Sequence, residues 1–224
     1  GGEDGGHVVT LSDGSAIRAG KVIVATDAPT AYRLLNVTTG AGVVPPPQRR
    51  VASLYYAFRS DPPVTEPILI LNGGGRHRDE PVNNVCFPSV VCEGYAPPGW
   101  HLCSVTILEP FVDCYAEGEQ ELDGIVRRQL ATWFPKQSDE IMTEWELKKV
   151  FRVEKAQPAQ YSGNGGGFSP ANMYGGRGAR SLAGVTLPAG LYVCGDHTAT
   201  ATLNGALESG VSAGEALLAD EGLC

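Results

Sequence analysis

The spacing of apolar residues changes character twice along the 224-residue chain. Val8 to Leu11 and Ala16 to Ala19 flank Ser12-Asp13-Gly14-Ser15, and an Asp-Gly pair between two short strand-like runs predicts a hairpin. Val22-Ile23-Val24-Ala25 is continuous in its apolar character, as suits a strand covered on both faces. Thr26-Asp27-Ala28-Pro29 has the chemistry of a first helical turn, with Tyr32, Leu34 and Leu35 as its apolar stripe.

The breaker-rich stretch from Gly40 to Pro47 marks the first change and a domain crossing. Beyond it, strand-like runs at Val51 to Phe58, Ile68 to Leu71, Asn84 to Phe87 and Leu102 to Leu108 are separated by Pro- and Gly-rich clusters, which predicts a mostly antiparallel sheet. Leu122, Ile125, Val126, Leu130, Trp133 and Phe134 recur at helical spacing between Glu117 and Phe134, and Pro135 stops the run. From Trp145 the period returns to two: Trp145, Leu147, Phe151 and Val153 alternate with Glu146, Lys148, Arg152 and Glu154. That spacing also puts Tyr55 and Tyr56 on opposite faces of their strand. Tyr161 to Gly184 shows little periodicity and reads as a long surface excursion.

The second change comes at Leu191-Tyr192-Val193-Cys194-Gly195-Asp196, a short apolar strand ending in an acid, followed by small residues and a helix start at Asn204-Gly205-Ala206-Leu207. In open α/β sheets ligands sit beyond the carboxyl ends of strands, and helix amino termini offer unpaired N–H groups. Gly205, Gly210 and Gly214 each cost about 1 kcal/mol against alanine inside a helix. With Ala206 and Ala213 they predict a side-chain-poor face that lets the helix lie close to a sheet or a ligand touch its first turn.

A net charge of −8 sets nucleic acid aside as a partner. No run is long and apolar enough for a transmembrane segment, which leaves peripheral membrane contact open. Six cysteines without a C-x-x-C pair read as reduced, mostly buried thiols rather than a metal site, in a reducing compartment such as cytosol or plastid stroma. The only methionines are Met142 and Met173, so the expectation is a piece or processed product of a longer protein.

No lysine or arginine lies within fifteen residues of Asp196, which suits its carboxylate to hydroxyl donors such as a ribitol or ribose rather than to phosphate. The N–H groups around Leu203, Asn204 and Gly205 would face an acceptor carrying negative charge. Blander readings weigh against the remaining candidates. His197 reads as a structural loop histidine, and Cys194 as a small buried strand residue rather than a covalent attachment point. Gly73 to Gly75 and Gly165 to Gly167 read as loops, and Arg76-His77-Arg78 and Arg177 with Arg180 as solvated basic clusters.

Val22-Ile23-Val24-Ala25-Thr26-Asp27-Ala28-Pro29 with Leu34-Leu35, and Val193-Cys194-Gly195-Asp196 with Asn204-Gly205-Ala206-Leu207-Glu208-Ser209-Gly210, resemble two separated signatures of the flavin-containing amine oxidase superfamily, which includes protoporphyrinogen oxidases and phytoene desaturases. Asn83 to Ser89 and Tyr95 to Gly99 resemble a plant and cyanobacterial phytoene-desaturase-like subgroup. The resemblance implies an α/β plus α+β fold: the carboxyl-terminal part of a glutathione-reductase-type FAD-binding domain (1–38 and 188–224) with an inserted, mostly antiparallel substrate-binding domain (39–187). It also implies that Asp196, beside Gly195, bonds the ribityl chain of FAD, that Leu203 and Asn204 present N–H groups near the flavin carbonyl with Gly205 following, and that Ala25 and Thr26 line the adenosine side. The implied activity is FAD-dependent oxidation of an apolar or amine-like small molecule. The alternatives are a non-catalytic fragment acting as a binding module and a flavin-dependent isomerase. The family's G-x-G-x-x-G fingerprint is missing; Gly163-Asn164-Gly165-Gly166-Gly167-Phe168 fails at its last position, so the chain alone is expected to hold FAD weakly or not at all.

Overall fold

The computed structural model describes residues 6–37, 42–75, 79–114, 118–159 and 179–223. They form two compact units, one of Gly1–Arg49 with Gln157–Cys224 and one of Arg50–Ala156. The expected crossings at 38/39 and 187/188 therefore differ from the observed ones, which fall inside two long strands. Residues 179–187 join the first unit because Leu182 and Leu187 pack in one core with Val24 and Val193, and the Val193 amide donates to the Ala179 carbonyl at 2.8 Å.

In the first unit β1 (His7–Thr10) and β2 (Ala16–Ala19) form the expected antiparallel hairpin. Gly14 takes a φ of +85°, and Asp13 accepts hydrogen bonds from the Ser15 amide and hydroxyl. β3 (Val22–Val24) leads into α1 (Ala28–Leu34), capped by Asp27 through the Thr30 amide at 3.0 Å. The buried face of α1 is Ala28, Ala31 and Tyr32, with Leu35 packed alongside, whereas Leu34 is 56% exposed. The i, i+3, i+4, i+7 row from Ala28 contains no Leu34, so side-chain size misleads where spacing does not. Ile23 is 42% exposed, so β3 is covered on one face rather than on both. Its parallel neighbour, the strand Leu191–Val193, sets Tyr192 opposite Ile23 on the same face, where the helix Leu203–Asp220 packs on Tyr192 and leaves Ile23 open.

The second unit is a sheet in the order β5 (Leu69–Leu71), β6 (Val82–Cys86), β7 (His101–Leu108), β4 (Gln48–Phe58) and β8 (Glu146–Pro158). The β5–β6, β6–β7 and β7–β4 pairings are antiparallel, as expected. The short α2 (Pro88–Val91) and α3 (Phe111–Cys114), the 15-residue α4 (Glu119–Trp133) and α5 (Ser138–Thr143) contribute to one core with Leu54, Tyr56, Phe58, Val105 and Ile107 of the sheet. Trp145 stacks on Phe58 at 4.3 Å between centroids. Arg127 of α4 ties the layers together, pairing with Asp123 and donating at 2.7 Å to the carbonyls of both Ile141 and Trp145.

Tyr55 and Tyr56 do point to opposite faces: Tyr56 is fully buried, and Tyr55 meets Phe151 edge-on at 5.7 Å. In β8 the expected alternation fails after Leu147. Val150 enters the core, while Phe151 and Val153 are 51% and 44% exposed. The inward parity thus slips by one residue across Lys148-Lys149 of this edge strand, turning Phe151 to the Tyr55 face.

The chain re-enters the first unit through the two-residue ribbon of β9 (Ser181–Leu182) and β10 (Val185–Thr186), then β11 (Leu191–Val193) and the 18-residue α6 (Leu203–Asp220). β11 pairs with β3 in parallel, Val193 opposite Val24. The stretch 160–178, which includes the near-fingerprint at Gly163 to Phe168 and Arg177, lies outside the described residues, as does Arg76-His77-Arg78.

Candidate functional site

The parallel pairing of β3 and β11 brings their carboxyl ends together, and the Cys194 amide extends the ladder by donating to the Val24 carbonyl at 3.0 Å. Ala25 and Thr26 follow one strand; Gly195, Asp196 and His197 follow the other. Gly195 has a φ of +146°, and a Cβ there would stand 2.6 Å from the His197 ring. The turn therefore requires glycine both for its backbone and for the imidazole folded against it.

α6 is anchored to this turn by one side chain. Ser209 accepts from the Gly195 amide at 2.8 Å and donates to the Ala206 carbonyl at 2.7 Å. Gly205, Ser209 and Ala213, four residues apart, are the buried face of α6, and Ala213 packs with Tyr192 and Cys194 of the strand end. Thr202 caps the helix, its hydroxyl accepting from the Gly205 amide at 3.0 Å. A Cβ on Gly205 would meet the Thr200 carbonyl oxygen at 2.0 Å, so this glycine serves the tight approach of the capping turn. Its N–H is engaged by Thr202, which narrows the expected set of ligand-facing donors: the amides of Leu203 and Asn204 have no acceptor among the described residues.

Gly210 and Gly214 do not share that packed face. A Cβ on either meets nothing within 4 Å. Gly210→Ala and Gly214→Ala are accordingly expected to raise stability by about 0.5–1 kcal/mol each, read as higher denaturation midpoints; a lower midpoint would mean that something does rest on those positions. Leu203, Leu207 and Val211 lie 77%, 63% and 63% exposed along the opposite side of α6.

Asp196 is part-buried, its side chain 27% exposed. Burial lifts its carboxyl above the ordinary value, opposed by hydrogen bonds from the backbone amides of His197 and of Asp196 itself. The His197 Nδ1 lies 3.9 Å from its Oδ1. That ring is 3% exposed, neither nitrogen has a hydrogen-bond partner, and burial pushes it down to about 4, against the attraction of Asp27. At neutral pH the imidazole is uncharged, so Asp196 faces no cation among the described residues. A carboxylate so placed accepts from neutral donors, and hydroxyls are the fitting class.

The arrangement thus brings Ala25, Thr26, Gly195 and Asp196 to one end of the strand pair and links them through Ser209 to the helix start at Leu203, Asn204 and Gly205. The sequence reading missed Ser209, which small residues recurring at 205, 209 and 213 could have revealed, and Thr202, a Ser/Thr-type cap directly before the helix. Arg180, read as a solvated basic residue, is structural. It pairs with Asp220 at 2.7 Å and donates to the Ala216 carbonyl, and Tyr192 donates to the same Asp220 at 2.7 Å. Burial lifts the Cys194 thiol, as expected of an inert strand cysteine, although Cys92 departs from the buried pattern by being exposed. Among the described residues no cluster of three or more His, Cys, Asp or Glu could hold a metal, and no helix is long and apolar enough to cross a membrane.

The sequence profile of the flavin containing amine oxidoreductases matches residues 2–218. Among solved structures, an oxidoreductase from Methanosarcina mazei superposes with a TM-score of 0.59 at 19% identity, over 93% of this chain and 47% of its own. A protoporphyrinogen oxidase-like protein from Exiguobacterium sp. 255-15 gives 0.62 at 15%, over 97% and 45%. Cyclohexylamine oxidase from Brevibacterium oxydans IH-35A gives 0.55 at 14%, over 98% and 46%. At such identities the likeness is one of fold, and the chain spans a little under half the length of these structures. The comparison with curated proteins returned no match.

Proposed function

Because the chain belongs to the flavin-containing amine oxidoreductase family, we propose that it contributes one part of an FAD site in an enzyme that oxidises an apolar or amine-like small molecule. One observation carries this reading: two parallel strand ends meet the start of an 18-residue helix whose first amides have no acceptor among the described residues, beside a carboxylate that faces no cation among them. These residues fit the cofactor. Asp196 accepts from ribityl hydroxyls, the Leu203 and Asn204 amides face the flavin's carbonyl edge, and Ala25 and Thr26 border the adenosine side. Gly195 and Gly205 keep the approach free of side chains.

When bound, the flavin supplies the redox chemistry, and the chain's residues hold and orient it. The positive end of α6 favours negative charge at the carbonyl edge. The face of the five-stranded sheet opposite its core, with Tyr55 and Phe151 on it, supplies substrate-cavity wall. Without a G-x-G-x-x-G loop the chain by itself lacks the usual pyrophosphate cradle.

Asp196 provides the site test. In the flavin-loaded full-length protein, Asp196→Ala is expected to weaken FAD retention by roughly tenfold, the scale of one lost charged hydrogen bond. Unchanged retention on dialysis, with unchanged turnover, would remove Asp196 from the site.

A further inference from the structure

At the end of the five-stranded sheet where β4 finishes and β7 begins, a cleft of about 270 Å³ opens on the face opposite the core. Ala57 and Leu102 form its base, Tyr95, Pro97 and Trp100 its apolar walls, and Lys148 its charged edge. Trp100 carries an unusual load. The Arg59 guanidinium lies 4.4 Å from its ring centre and the Lys148 ammonium 5.3 Å, so two cations stand within about 10 Å of each other around one indole. Lys148 is paired with Glu146, whereas Arg59 has no carboxylate partner among the described residues. The cluster is left with one uncompensated positive charge, that of Arg59, which does not itself line the cleft but lies against its Trp100 wall.

We propose that this cleft is a binding site for a small aromatic monocarboxylate, the ring lying among Trp100, Tyr95 and Pro97 and the carboxylate meeting Arg59 and Lys148. The apolar walls call for an apolar body, and the surplus charge for a single anion. A cationic ligand is disfavoured, because both indole-bound cations would repel it. His101 also lines the cleft, but its Nδ1 is buried without a partner and its ring packs on Phe58 at 5.6 Å, so it acts as wall and leaves the anion to the two exposed cations. A neighbouring cleft of about 310 Å³ across the Ala96–Trp100 loop is lined by Glu93, which sets the anion on the Lys148 side. The cleft shares the sheet face assigned above to the substrate cavity, but none of its residues belongs to the proposed flavin site, so ligand binding here and flavin retention can fail separately.

Ligand-observed NMR titration of the whole chain with phenylacetate and its uncharged analogue phenylacetamide tests the proposal. Phenylacetate is expected to bind with a dissociation constant on the order of 1 mM, as suits a ligand of this size. The amide should bind at least tenfold more weakly. Arg59→Gln with Lys148→Gln, both solvent-facing and so compatible with the fold, should weaken phenylacetate at least tenfold and leave the amide unchanged. Trp100→Ala should weaken both. Absence of binding, equal affinity for acid and amide, acid binding indifferent to loss of the two cations, or binding of both ligands indifferent to loss of Trp100 would each overturn it.

Discussion

Replacing Gly205 with alanine is expected to lower stability by about 2–4 kcal/mol, the upper range for forcing atoms into a packed site. The added Cβ would stand 2.0 Å from the Thr200 carbonyl oxygen and 2.4 Å from its hydroxyl. Relief requires either the capping turn at Thr200 to Thr202 or the start of α6 to move. The turn is held by the Thr202 hydroxyl on the Gly205 amide, and the helix by Ser209 on Gly195. Denaturant midpoints of Gly205→Ala and Gly210→Ala make a matched pair: the same atom is added to the same helix, and the expected signs are opposite. Equal shifts would mean that helix propensity rather than the Thr200 contact decides both.

Acidification from pH 6.5 to 4 is expected to remove up to about 3 kcal/mol through His197 alone. In the unfolded chain its imidazole takes a proton near 6.5, whereas in the folded protein burial holds it down to about 4. The unfolded state therefore binds the proton first. The stabilising contribution is fully present above 6.5 and is lost as pH falls toward the folded value. Asp27 tempers the effect by favouring the charged ring, and Asp196, raised by burial, works in the opposite sense as it protonates. Both carboxylates remain in His197→Gln, so the difference between wild type and variant isolates the ring. Their stabilities should run parallel above pH 7 and shift toward the variant by up to about 3 kcal/mol between 6.5 and 4. Parallel profiles throughout would mean that the ring is not held neutral.

Much of this architecture was legible where apolar residues repeat with a clear period. The hairpin at Asp13-Gly14, the central sheet and α4 all follow from it, because burial of one face is what creates the period. The errors fall where the local environment overrides that pattern. Leu34 looked like core because it is large, yet the smaller Ala28 and Ala31 lie in the packing row. Phe151 and Val153 were set on the wrong face by a one-residue slip in β8, which the equally polar Lys148 and Lys149 do not mark. Ile23 sits in an apolar run, but the helix on its side of the strand pair packs on Tyr192 and leaves it open. Around the site, the strand, the acid and the helix start were readable as a motif. Their linkage was not, because Ser209 and Thr202 act through single hydrogen bonds that leave no periodic trace. The three glycines of α6 likewise look alike in sequence, and only Gly205 has a neighbour that forbids a side chain.

Flavin retention tests the central reading most directly, namely that this chain holds one part of a flavin site and needs more polypeptide to complete it. The 224-residue chain and the longest product of the gene that encodes it would each be incubated with FAD, desalted and examined for bound flavin by absorbance. The expected outcome is about one FAD per polypeptide in the longer product and far less than stoichiometric flavin on this chain. Stoichiometric flavin on the 224 residues alone, or none on the longer product, would contradict the account.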